Sequence, residues 1–314
     1  MKIRRAYDRD FPAIAEVHAA AFDEQMDISE VVLVDLHRRH PDFDPDLSLV
    51  AECEGRIVGH VLLVPRQLQI RGTLVRAVVL GPIGVSPPFQ GQGTGGRMIR
   101  HAHRVARGLG HQMVLLLGHP GYYKRFGYRG GLFGTCEVQV PRVDIPKSRV
   151  LLEERRVVPN DLSALRVMWS RWFADVDLAV IPGRSVLDWI SPSKQVRSCC
   201  VFEGEQLIGY VRYGSDGVRM LLARDAVSTT ALLGHLAARV QQGGEMLCLP
   251  LHPHSVAVGD MLQVPFSEVV EPWDAAMIRV IDEGEQSIVA YCREVAKGQR
   301  SVGLVIWPVE YEVC

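Results

Sequence analysis

The sequence predicts a mixed α/β fold, a central mixed sheet flanked by helices, followed by a second domain of similar build. Three observations predict it. An apolar run from Leu74 to Val85 leads through a glycine-rich turn into an amphipathic helix and then into a second apolar run, Met113 to Leu117. Strand, turn, helix and strand in that order fit a crossover that puts both strands in one sheet. The second half then repeats the order hairpin, strand, helix, strand with slight sequence identity, a weak repeat of architecture. The length, 314 residues of which 47% are hydrophobic, is enough for two cores at roughly 150 residues per domain.

Element by element, Lys2 to Ala6 reads as a short strand. Arg9 to Phe22 carries apolar residues near helical spacing, with Asp8 or Asp10 available as a cap. A second helix is predicted from about Ile28 to Arg39, ending at His40 because the residue before Pro41 avoids helical backbone. Leu47 to Glu52 and Ile57 to Val64 flank the turn Glu54-Gly55-Arg56 and read as a hairpin. Leu74 to Val85 is a strand whose Gly81-Pro82 interruption predicts a bulge or a splay. Gly91 to Leu109 is the clearest helix: Met98, Ile99, Ala102, Val105, Ala106 and Leu109 form one apolar stripe, and Gly110 suits its C-terminal cap. A short helix at Pro120 to Phe126 and a strand at Leu132 to Val140 complete the first half.

Pro141, Pro146 and Pro159, with the charged run Glu153 to Arg156, mark a boundary, giving domains 1–145 and 146–314. Beyond it the sequence predicts a helix at Leu162 to Phe173, a hairpin of Val196 to Phe202 with Gln206 to Tyr213, a strand at Val218 to Ala223 and a helix at Thr229 to Val240. Met246 to Leu249, Ala275 to Val280 and the tail from about Val302 supply further strands.

Composition excludes several classes. The 35 basic and 36 acidic side chains nearly balance, and no run of like charge gives the footprint of a nucleic-acid binder. The short basic cluster His37 to His40 reads as a solvated helix face. Seven cysteines form no CxxC pair and sit mostly in apolar runs, which favours reduced, buried thiols in a reducing compartment. Met1 to Arg5 is charged at once and has no apolar signal segment, and no 18-residue apolar run exists. The expectation is a soluble cytoplasmic protein with no membrane partner; a homodimer is possible through exposed strand edges. His252 and His254 lack a third ligand of known position, so no metal site is expected.

The segment Val85 to Arg97 follows a strand and opens a helix. Its glycines remove side chains where a ligand must approach the main chain. The first-turn amides of a helix have no internal partner and suit an anion, so the amides around Gln92 to Gly96 could cradle a diphosphate, with Thr94 adding a hydroxyl donor. A flexible surface turn or a close helix–sheet contact is the plainer reading. A P-loop is excluded, since no lysine follows the glycines. Gly91, Gly93 and Gly96 fit the dinucleotide pattern formally, yet about 90 residues precede them and the next strand ends in Gly118-His119 rather than an acid.

Gln90-Gly91-Gln92-Gly93-Thr94-Gly95 resembles the Q/R-x-x-G-x-G signature of the GCN5-related N-acetyltransferase (GNAT) superfamily. About 30 residues on, Leu116 to Tyr128, with His119-Pro120-Gly121-Tyr122-Tyr123-Lys124-Arg125-Phe126-Gly127-Tyr128, is similar to that superfamily's Y-x-x-x-G-F/Y element. The likeness is greatest to a bacterial subgroup of predicted acetyltransferases and covers about Lys2 to Val140. The second half has no such motif: its equivalent turn, Ala223 to Thr229, lacks glycine and carries Asp225, which would repel a pyrophosphate. That half resembles the degenerate second domain of tandem GNAT proteins, structural or shaping the acceptor pocket.

The resemblance implies an N-acetyltransferase that carries an acetyl group from acetyl-CoA to an amine of a small molecule or a protein. The implied donor site runs along Ile83, Gly84 and Val85 to Gln90, Gly91, Gln92, Gly93, Thr94, Gly95 and Gly96. Tyr123 falls on the position of the general-acid tyrosine, a weak acid at the departing sulfur; it could instead be a packed ring, and Tyr122 is one residue away. The base is open among Glu24, Glu52, His60 and His119, of which His119 is best placed after the splayed strand, though it could cap the next helix or face solvent; a water chain would also serve. A catalytically inactive CoA-binding or ligand-sensing module, or a purely structural protein, would keep much of the same sequence.

Overall fold

A computed structural model describes residues 1–22, 29–147, 150–241 and 244–313. The chain begins with β1 (Lys2–Arg5), α1 (Phe11–Ala21) and α2 (Glu30–Arg39). The predicted cap Asp10 turns back from α1: its carboxylate accepts the Tyr7 N–H at 2.8 Å and is gripped by Arg4 at 2.6 Å. Next come β2 (Ser48–Cys53), β3 (Arg56–Ile70) and β4 (Thr73–Val85), then α3 (Thr94–Gly108), β5 (Met113–Leu117) and α4 (Pro120–Tyr123). β3 runs past its predicted end at Val64. Pro65 hid the extension, but β2 has ended at Ser48, paired with Leu62, so that edge of β3 needs no donor there.

β3 shows how the sheet divides two cores. Val61 and Leu63 pack with Met98, Ile99 and Ala102 of α3, while Leu62 and Val64 pack with Ile14 of α1 and Val34 of α2. The period of two along the strand sends alternate residues to opposite faces. Each such aliphatic chain taken fully from water contributes about 1.5–3 kcal/mol.

The later elements are β6 (Gly134–Pro141), β7 (Leu152–Arg156), α5 (Leu162–Phe173), β8 (Ala179–Val180), β9 (Arg197–Glu203), β10 (Gln206–Gly214), β11 (Gly217–Ala223), α6 (Ala226–Ala237), β12 (Met246–Leu249), α7 (Val256–Met261), β13 (Ser267–Pro272), β14 (Ala276–Val280) and α8 (Gln286–Ala296). The main sheet has the order β1-β2-β3-β4-β5-β14, with β8 joined to β3. A second sheet has the order β11-β10-β9-β7, and a third the order β12-β6-β13. Strands therefore cross the proline-rich segment in both directions: β14 closes the first sheet beside β5, and β6 pairs with two strands from the later half. The second sheet packs under α5, whose Trp172 donates its indole N–H to the Ala223 carbonyl at 2.9 Å.

Three expectations need correction. The cluster His37 to His40 is not a solvated face: His37 and His40 are buried, facing Glu310 and Asp188, and only Arg39 is exposed. The helix predicted from Gly91 begins at Thr94, because Gly91 and Gly93 have φ of +71° and +77°, outside the right-handed helical region. The tail from Val302 forms no strand. Its apolar pattern reflects burial of Val302, Leu304 and Val305, while its N–H groups are taken elsewhere: Gly303 donates to the Tyr291 hydroxyl and Leu304 to the Asp177 carbonyl. A 3-10 helix, Val309–Val313, ends the described chain. Among the described residues no helix is long and apolar enough to cross a membrane.

Candidate active site

The glycine turn lies where β4 delivers the chain to α3. The first hydrogen bond of that helix runs from the Arg97 N–H to the Gly93 carbonyl, 3.1 Å, so the N–H groups of Thr94, Gly95 and Gly96 come before any internal acceptor. Gln90 and Gln92 fold their side-chain amides back onto the Val85 and Pro88 carbonyls, both at 2.8 Å. These bonds fasten the loop to the end of β4 and leave main chain at the helix mouth. A Cβ built on Gly91 or Gly93 meets nothing within 4 Å, so the mouth opens on free space.

The next two glycines serve packing. A Cβ on Gly95 would lie 2.9 Å from the Tyr122 hydroxyl, and one on Gly96 would lie 3.0 Å from the Phe126 ring. Both rings come from the aromatic segment after β5. Arg125 stacks on Tyr122 at 4.1 Å, which holds that ring against the helix start. The Thr94 side chain is buried.

β4 and β5 are parallel, and they pair only through Ala77–Met113, Val78–Val114 and Val79–Leu115. β4 continues to Val85 and β5 stops at Leu117, so the two part after Val79. β3 and β4 shift register opposite this point, between Val61 and Leu63, which absorbs the Gly81-Pro82 interruption. A cavity of about 700 Å³ occupies the parting, with Leu80, Ile83, Leu117 and Tyr123 on one side. Its other wall comes from the later half of the chain: Arg212, Arg219, Trp273, Trp307 and Tyr311.

Tyr123 packs edge-on against Tyr122 and Tyr128, with ring centroids 5.0 and 5.7 Å away, and its ring abuts Gly118. Burial, aided by the neighbouring Tyr122, pushes its phenol up to about 12. It is both a packed ring and a proton-bearing group on the cavity wall.

The proposed bases separate. His119 is exposed and stands outside the cavity lining; its main-chain carbonyl starts α4, accepting from Tyr122 and Tyr123. Glu24 lies outside the described residues. Glu52 pairs with Arg4 at 2.7 Å, away from the cavity. His60 is wholly buried: its Nδ1 meets His18 Nε2 at 2.8 Å and its Nε2 meets the Ser48 hydroxyl at 3.0 Å. Burial, with Arg38 and the paired imidazole, holds His60 well below the usual histidine range, and burial with Arg38 holds His18 at about 4. This neutral pair sits behind Gly84, where a Cβ would lie 3.0 Å from His18 Nδ1.

The sequence missed Glu30. It opens α2 and is the sole carboxylate among the described residues lining the cavity. Nothing in its helical pattern distinguishes it from a surface acid. The sequence also missed that His40 and Asp42 approach Asp188 from across the chain, their ligand atoms within 4.8 Å of one another.

Residues 2–131 match the family described as "Acetyltransferase (GNAT) domain". This part of the chain belongs to the GNAT acetyltransferases. The chain is 36% identical over 113 residues to the uncharacterised N-acetyltransferase YjhQ of Escherichia coli (strain K12), a stretch that is 36% of this chain and 60% of that relative. The GNAT-like fold extends further than the family match. The crystal structure of a GCN5-related N-acetyltransferase from Kribbella flavida superposes on 90% of this chain and 71% of its own, with a TM-score of 0.68 at 16% identity. That of a GCN5-related N-acetyltransferase from Anabaena variabilis covers 90% and 73%, with a TM-score of 0.66 at 13% identity. At such identities the likeness is one of fold. The GNAT domain places the glycine turn and the parted strands beside a cavity that the later half completes.

Proposed function

We propose that the chain is an N-acetyltransferase that moves an acetyl group from acetyl-CoA, its acyl-donor substrate, to a primary amine by direct attack. One observation carries this reading: an open, amide-lined helix mouth is joined through Val85 to parted strands whose cavity holds the Tyr123 phenol. In this reading the diphosphate lies against the main chain of Gly91 to Gly96, where aligned N–H dipoles favour an anion. Gln90 and Gln92 hold the loop, Thr94 begins the helix, and the pantetheine follows Ile83, Gly84 and Val85 to bring the thioester into the cavity.

The amine nitrogen attacks the thioester carbonyl carbon, the C–N bond forms, and the C–S bond breaks with its electron pair on sulfur. A phenol at about 12 binds its proton more tightly than a thiol of about 8.5. Tyr123 therefore acts chiefly by donating a hydrogen bond to the departing thiolate, which takes up, through water, the second proton that the nitrogen sheds as the amide forms. Glu30 is the group suited to hold the incoming ammonium and receive its proton, a role for which the sequence offers Glu24, Glu52, His60 and His119, with His119 best placed. Residues 146–314, which lend β14 to the first sheet, are read here as a degenerate GNAT-like half that shapes the acceptor side through Arg212, Trp273 and Trp307. The acceptor is a small-molecule or a protein amine.

The test follows free thiol release from acetyl-CoA against a panel of amines, with the N-acetylated product identified by mass. Turnover on at least one amine supports the reading. Acetyl-CoA binding without turnover on any amine favours a sensing module, and absence of binding removes both.

A further inference from the structure

A second cavity, of about 600 Å³, shares Arg212, Ile306 and Trp307 with the first but has a different chemistry. Five arginines line it, Arg66, Arg76, Arg166, Arg184 and Arg212, against two carboxylates, Asp42 and Asp188. They converge from β3, β4, α5, β10 and the loop after β8, and none belongs to the glycine turn. Asp188 is already engaged: it accepts the Ser185 N–H at 2.9 Å and faces His40 Nε2 at 3.4 Å. Asp42 is exposed.

The arginines are less well answered. Arg66 is buried; it reaches the Pro65 carbonyl at 3.1 Å and the Glu310 carboxylate, yet its Nε has no hydrogen-bond partner among the described residues. Burial pulls its pKa down, against the pull of Tyr311, Asp188 and Asp42. Arg212 donates to the Trp307 carbonyl at 2.9 Å. Arg76, Arg166 and Arg184 have no carboxylate at ion-pair distance among the described residues. Like charges gathered in a half-closed concave site raise its potential, and a bound counter-charge relieves it. Guanidinium forks match carboxylate and phosphate oxygens two at a time.

We propose that this arginine-lined cavity binds a multivalent anionic small molecule, phosphorylated or polycarboxylate, at a site separate from the acyl-donor site. A cation at the neighbouring His40, Asp42 and Asp188 is disfavoured. His40 Nδ1 already accepts the Asp42 N–H at 3.1 Å, which leaves the ring proton on Nε2 towards Asp188, and the surrounding guanidinium groups repel a metal ion. Ile181, Pro182 and Trp307 supply an apolar wall for the body of the ligand.

The test is calorimetric titration of the full chain with inorganic tripolyphosphate and, separately, with citrate, in saturating CoA so that the glycine turn is not free. The expected result is one saturable site for at least one anion, weakened at least tenfold in the triple variant Arg76→Gln, Arg166→Gln, Arg184→Gln, whose melting and acetyl-CoA affinity stay as in the parent. The two titrants separate a phosphate site from a carboxylate site. Binding of neither anion, equal binding by the triple variant, or tight zinc binding with no anion bound would each overturn the proposal. Acetyl-CoA binding is read separately, so failure here is distinct from failure of the acetyltransferase reading.

Discussion

Gly93→Ala separates backbone strain from loss of an anion site. Gly93 has φ of +77° and a Cβ there meets nothing within 4 Å, so the cost to the fold is conformational. Left-handed backbone costs a non-glycine residue roughly 1–2 kcal/mol. The reduced freedom of the unfolded chain returns about 0.4–1 kcal/mol, leaving a net loss of about 1 kcal/mol. Gly72, in the turn between β3 and β4, has φ of +74° and equally open space, so Gly72→Ala carries the same strain far from the helix mouth. Urea denaturation should show both variants less stable by about 1 kcal/mol. Calorimetry with acetyl-CoA should separate them. A charge-assisted hydrogen bond is worth about 1.5–3 kcal/mol, so displacing one amide from the diphosphate weakens binding roughly 10- to 150-fold in Gly93→Ala. Gly72→Ala should bind as the parent does. Equal affinity in the two variants would refute the assignment of the helix mouth as the donor site.

Tyr123→Phe removes one hydrogen bond to a developing thiolate; turnover should fall about 10- to 150-fold with acetyl-CoA affinity intact. Because the phenol sits near 12, the parent rate should show no ionisation of Tyr123 between pH 8 and about 10, and a limb there that vanishes in the variant would contradict the raised value. Glu30→Gln should raise KM for the amine and lower turnover while acetyl-CoA binding holds; unchanged amine kinetics would clear Glu30 of the role. His18 is neutral in the fold with its pKa depressed to about 4, so its contribution is complete above about 6.5 and is lost as pH falls towards 4. That single group should remove about 2 kcal/mol of stability between pH 7 and pH 5, read by urea denaturation, and a flat profile would count against the buried imidazole pair.

Legibility followed the range of the interactions. Met113 to Leu117 and Leu162 to Phe173 match the observed β5 and α5, because local periodicity and punctuation decide such elements. The glycine turn and Tyr123 could be singled out as candidates because their motif residues are close in sequence. Glu30 was not: its place at the cavity depends on how α2 lies against the sheet and on a wall built some 180 to 280 residues later. The register of β14 beside β5 is equally long-range, since nothing within Ala276–Val280 says which edge it will take. In the tail, burial imitated a strand, and only the partners of Gly303 and Leu304 tell the two apart.

Helix α3, which follows β4, and helix α6, which follows β11, begin with opposite solutions to one electrostatic problem. α6 begins at Asp225, whose carboxylate accepts the Ser228 N–H at 2.8 Å. Burial would raise this acid, but the Ser228 N–H and Arg224 hold it at about 2, so it stays charged at the helix start. Such a cap stabilises a helix by about 1 kcal/mol and fills the place an external anion would take. α3 begins at Gly93, with no side chain capping it. It forgoes that stabilisation at the better-formed amphipathic helix, where a serine or an aspartate would be cheap to install, and keeps its amides facing open space. A fold that caps one helix from within and leaves its counterpart bare concentrates unmet donors at one mouth. An anion from solution gains there what Asp225 already supplies at the other, which is why the difference between the two turns, more than the glycine count of either, supports the helix mouth as the proposed donor site.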